Sequence, residues 1–190
     1  MFLDMAKKQI TYSEWLRVNA LRVTRIHFLL ILAIVAQLIV YDAGRLITPQ
    51  IVLYRSLDMV FLLVATAAVW VLAHNKAKDA NFYKFIISLL IAADILYASH
   101  SVYLQRGMAS RAVLFFAIPI IISAILLNRA AIYTTAFIAI GAYFATAMAY
   151  FVLNFNEGYK LELYGEVGFY SALFIVLAGL LSAFRKFKDE

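Results

Sequence analysis

Phe85–Tyr97 reads FIISLLIAADILY, an apolar run with a single aspartate, Asp94, inside it. Nothing adjacent in sequence neutralises that carboxylate. A charged side chain at mid-bilayer costs at least about 2.5–3.5 kcal/mol on insertion scales. The run therefore reads as a transmembrane helix whose aspartate faces other helices or water and finds a partner there. Two further charges, Arg55 and Asp58, stand in the preceding apolar run.

The rest of the chain has the same texture. Hydrophobic residues make up 65% of 190, charged residues 15%, and the mean hydropathy is +0.87. A soluble domain is nearer half apolar and a quarter charged. Six apolar runs follow one another, at Ile26–Tyr41, Ile51–Ala73, Phe82–Leu104, Ala112–Leu127, Ala130–Leu153 and Gly168–Phe184. Most have the length that crosses roughly 30 Å of hydrocarbon as a helix. None alternates with period two, which argues against a barrel. The fold expected is all-α, a polytopic bundle of six transmembrane helices over residues 26–184. A short N-terminal interfacial helix within residues 1–25 precedes it, and residues 185–190 begin a tail or linker.

The connections are short. Asp42–Gln50 is punctuated by Gly44 and Pro49, and Asn128–Arg129 alone separates the fourth run from the fifth. Asn154–Glu166 is expected to be the longest and most polar loop. No internal repeat is evident, whereas inverted repeats are common in transporters.

Charge sets the expected orientation. With the N-terminus inside, Arg45, Arg55, Arg106, Arg111 and Lys160 fall outside, and the other twelve of the 17 Lys and Arg residues fall inside. Both termini are then cytoplasmic. The net charge of +6 reflects topology and anionic lipid, not nucleic acid. Thr11 and Glu14 match a capping box, so a helix can run from Tyr12 into the first span without a break. With Arg17, Arg22 and Arg25 opposite Trp15, Leu16 and Leu21, it is either a lipid-sensing interfacial helix or a plain positive-inside anchor.

The candidate site follows from depth. Arg55 and Asp58 are three residues apart on one helix face. Asp58 and Asp94 both fall near the midplane or in the outer half, on adjacent antiparallel helices. A network of Arg55, Asp58 and Asp94 is expected, serving as a ligand, proton or ion site, or as a structural ion pair. Tyr97 and Ser101 lie toward the Asp94 side of that helix. His100 lies about 600° around from Asp94 and off its face. It is either an external pH sensor or an interfacial polar residue. Pro119 lies inside FFAIPIIISAILL and is a candidate hinge or a static kink.

Several chemistries are set aside. The chain has no cysteine, which removes thiol nucleophiles, thiolate metal sites and disulfides. Its three histidines, His27, His74 and His100, show no ligand spacing. Metalloprotease, hydrolase, P-loop and dinucleotide motifs are missing, and no lysine stands mid-span to hold a retinal. No catalytic residue, metal or cofactor is expected.

The pattern of IAADILY, the connection LQRGMASRA, the proline-bearing VLFFAIPIIISAILL, the tight NRAA turn and IYTTAFIAIGAYFATAMAYFV resembles the six-helix N-terminal sensor region of membrane-bound bacterial histidine kinases. The resemblance spans residues 50–190 as an apolar pattern. It implies a signal-transducing sensor of a two-component system that works as a homodimer. It also implies a cytoplasmic kinase core following the last helix; the chain stops at RKFKDE, where that linker would begin. Leu180, Phe184 and Phe187 keep a 4–3 spacing suited to a continuing coiled coil. Redox-sensing relatives carry G-G-x-x-N-P-F in the third outer-side connection, and this chain has RGMASRA instead. The expected partners are membrane lipid, a second copy, and a small lipophilic or outer-side ligand. The alternative function is a small transporter or channel subunit using Asp94, Arg55 and Asp58.

Overall fold

Thr11 opens the first helix, its side chain accepting the Glu14 N–H at 3.4 Å. The Glu14 carboxylate takes the Arg17 guanidinium through two bonds of 2.9 and 2.6 Å. From there α1 runs unbroken over Tyr12–Ala43, 32 residues and roughly 48 Å at 1.5 Å per residue. The computed structural model describes residues 11–76, 78–107, 110–155 and 161–184, and every regular element among them is helical.

Five more helices follow. α2 spans Pro49–Ala73, with Pro49 in its first turn and Thr48 accepting the Ile51 N–H. α3 spans Ala80–Leu104 and is capped by Asp79, which accepts the Phe82 N–H at 3.0 Å. A 3-10 helix over Arg111–Phe116 leads directly into α4, Ala117–Leu126. Asn128 accepts the Ala131 N–H at 2.8 Å and starts α5, Arg129–Phe155. α6 spans Leu161–Phe184.

Five of these helices, α1, α2, α3, α5 and α6, are long and apolar enough to cross a bilayer, and Arg111–Leu126 is a shorter apolar piece. Large apolar side chains such as Leu29, Leu32, Phe137 and Leu153 stand exposed along the spans. In water such patches would drive association, and in lipid they are the expected outer face. The chain is an all-α membrane bundle.

The structure refines three expectations. The N-terminal amphipathic segment and the first span form one helix, as the capping box at Thr11 allows, and α1 passes through Arg25–Ile26 without a break. Its inner face is core: Leu16 and Ala20 are buried with Tyr83, Ile86 and Ile87 of α3. The stretch Asn154–Glu166 is mostly helix, with α5 reaching Phe155 and α6 starting at Leu161; Gly158 and Lys160 lie outside the described residues. Pro119 lies inside the apolar piece Arg111–Leu126, as expected, where 3-10 geometry gives way to the first turn of α4. A proline is tolerated in the first turn of an α-helix.

α3 is the axis of the bundle. In its apolar window 61% of the residues are buried, against 17–28% in the other spanning helices. It packs on α1, α2, α4, α5 and the 3-10 helix, while α6 packs on α4 and α5. α5 approaches through a stripe of small residues, Ala136, Ala139 and Ala147, with Tyr143 between them.

Candidate functional site

The inward stripe of α1 is Leu16, Ala20, Val23, Thr24, His27, Ile31 and Leu38, spaced by threes, fours and sevens. That spacing keeps one helix face toward α3. His27 is therefore a core residue, with its side chain 3% exposed. Opposite it stands Asp94, 5% exposed, with His27 Nε2 3.4 Å from its Oδ2. This is ion-pair range but longer than the 2.7–2.9 Å of a well-made charged hydrogen bond. Among the described residues, neither ring nitrogen of His27 nor Oδ2 of Asp94 has a hydrogen-bond partner.

A third buried polar group lies at the same level. Ile31 of α1, Leu62 of α2 and Tyr97 of α3 pack in one cluster. One turn toward the basic side of the bundle are His27 on α1, Thr66 on α2 and Asp94 on α3. The Thr66 hydroxyl is fully buried and also lacks a partner among the described residues. A layer of three incompletely bonded polar side chains thus joins the first three helices.

Asp94 does not join Arg55 and Asp58. Asp58 pairs instead with His100, whose Nδ1 lies 2.7 and 2.8 Å from the two carboxylate oxygens. His100 is six residues past Asp94 on α3, roughly 9 Å along the axis, and Arg55 lies a further turn beyond Asp58. The expected three-residue network therefore separates into two sites. Arg55 has no ion pair among the described residues.

The upper site gathers most of the remaining candidates. Arg55, Asp58, Tyr97 and Ser101 line one small cavity with Gln37 and Gln105. Its volume of about 20 Å³ holds one water. His100 is 45% exposed and reaches this site only through Asp58. Pro119 is buried in α4 and belongs to neither site.

His27 is the residue that sequence reasoning missed. Ligand spacing along one segment cannot reveal a pair contributed by two helices. The signal lay in the inward stripe of α1, on which a lone histidine needs a polar partner from another helix.

The two groups can hold one proton between them. Imidazole with carboxylic acid, or imidazolium with carboxylate, leaves the α1–α3 contact without net charge. Adding or removing a proton leaves an uncompensated buried charge, which is strongly destabilising. The contact is thus sensitive to a change of a single charge. No protein-family model matches the chain, and comparison with curated proteins and with solved structures found no match.

Proposed function

We propose that the chain is a membrane-embedded sensory module of the kind that precedes a histidine kinase core, with the His27–Asp94 pair as its responsive joint. The observation that carries this reading is the buried, incompletely hydrogen-bonded pair between the first helix and the central one. Polar groups in apolar spans are expensive and mark function more often than ordinary packing does. A contact that tolerates one charge state and rejects another is a two-state element, which signalling by rigid helix movement requires. α1 continues from this joint to the basic side of the bundle as one helix, so a shift at His27 moves Tyr12 with it. In this reading both termini are cytoplasmic, the membrane is the bacterial inner membrane, and the module works as a homodimer.

The test is a distance measurement between spin labels on Tyr12→Cys and Ala183→Cys in nanodiscs. Asp94→Asn should redistribute two distance populations, and proteoliposomes of the same protein should pass no ions. One unchanged distance in both proteins would end the sensory reading.

A second reading is a transporter or channel subunit. The cavity lined by Arg55, Asp58, Tyr97 and Ser101 favours it. It requires ion or proton flux in proteoliposomes that falls in Asp58→Asn.

A further inference from the structure

α1 and α4 do not close against each other along their whole length. Between them lies a groove of about 270 Å³ whose exposed walls are apolar, formed by Val23, Ile26, His27 and Leu30 on one side and by Ile121 and Ile125 on the other. The groove lies within the apolar span of α1, so it opens toward lipid. His27 shows it only ring carbon, since both ring nitrogens are buried away from the surface.

One end of the groove is charged. Arg22 precedes Val23 and stands one turn before Ile26, so it flanks the mouth on the basic side. Its side chain is exposed, and no carboxylate pairs with it among the described residues. Arg17, one turn and a half earlier, is already committed to Glu14. Arg25 is exposed too, three residues on and about 60° further around α1 from the groove than Arg22. From Arg22 to Leu30 is eight residues, roughly 12 Å along the axis. A cation at the mouth of an apolar slot of that length matches an amphiphile with an anionic head and a hydrocarbon tail.

We propose that the α1–α4 groove binds an anionic phospholipid of the leaflet on the basic side of the bundle, with an acyl chain against the His27 ring and the phosphate on Arg22. This inference stands whether or not the chain signals, because it rests on the groove and Arg22 alone. It has a consequence for the polar layer all the same. The chain in the groove covers His27 from the lipid side and keeps water from reaching Asp94 by that route.

The experiment uses the full chain in nanodiscs carrying a photoactivatable group on the lipid acyl chain, presented either as phosphatidylglycerol or as phosphatidylcholine. Adducts are mapped by mass spectrometry. The expected result is labelling at Leu30, Ile121 and Ile125, stronger for phosphatidylglycerol by about fivefold, the preference one basic residue near the headgroup supplies. Arg22→Gln should bring the two lipids to parity, and Arg25→Gln should leave the preference intact. Ile121→Trp, which fills the groove from an exposed position, should remove the adducts with an unchanged melting temperature; Leu30→Phe serves the same purpose if that variant fails to fold. Equal labelling by both lipids, or equal loss in Arg22→Gln and Arg25→Gln, would overturn the proposal. No labelling at Leu30, Ile121 and Ile125 by either lipid, with labelling retained on other exposed span residues, would also overturn it.

Discussion

At Gly107 the absence of one carbon decides a loop. The residue has φ +64°, and a Cβ there would lie 3.0 Å from the Tyr150 ring. Arg106 before it also takes a positive φ of 72°, so the chain turns sharply as it leaves α3. Gly107→Ala should therefore lower stability by about 1–3 kcal/mol, from strain and from displacing Tyr150. A thermal melt in detergent reads this directly, and an unchanged midpoint would mean the loop relaxes. The sequence marked this glycine as a turn but could not reveal what it touches. The same holds for Asp94. That it needs a partner follows from its place in an apolar run, while the identity of the partner depends on which face of α1 packs inward. Arg55 looked the natural counter-ion because opposite charges attract, yet helix register puts it about ten residues' rise from Asp94, roughly 15 Å. Histidine, neutral by default in a composition count, was the group that register brought within reach.

Elements were the most legible scale. Apolar runs of spanning length, Pro49, Asp79 and Asn128 at helix starts, and the short connections are local features, and the helices begin and end near them. Two elements were harder. The segment Leu161–Val167 is helical although its glycine and two acidic residues read as loop, and Val167 at its end is buried in the core. Pro119 reads as an interruption within a span, because the preceding 3-10 turns have the same apolar composition as an α-helix. Its first-turn position makes a prediction. A proline kinking the middle of a helix is destabilising by about 3 kcal/mol, so its removal would stabilise. At a compatible helical start, Pro119→Ala should instead cost about 0.4–1 kcal/mol through a more flexible unfolded chain. Differential melting distinguishes the signs, and a clear rise in melting temperature would place the proline under strain.

The whole molecule is a bundle around α3, with α1 tied to it by a polar joint and by an apolar stripe that continues to Leu16. Its orientation is open to direct labelling, because the chain has no cysteine of its own. A cysteine at Thr48, exposed between α1 and α2, should react with an impermeant reagent added outside whole cells, and one at Lys76 should not. The reverse pattern would invert the topology. Dimerisation is testable at the same scale. Phe187 lies outside the described residues, but Leu180 and Phe184 are exposed at the end of α6, and Phe184 is 85% exposed. Phe184→Cys should form disulfide-linked dimers in native membranes, and persistent monomer would count against a paired receptor.

The joint itself is the claim on which the rest depends, and a double-mutant cycle on the melting free energy in detergent tests it most directly. His27→Gln, Asp94→Asn and the double variant should be non-additive, with a coupling of about 0.5–3 kcal/mol, as expected for residues in contact. Arg55→Gln combined with Asp94→Asn should be additive within about 0.5 kcal/mol, as expected for residues without a shared partner. Additive losses for His27 and Asp94, with coupling to Arg55 instead, would contradict the account.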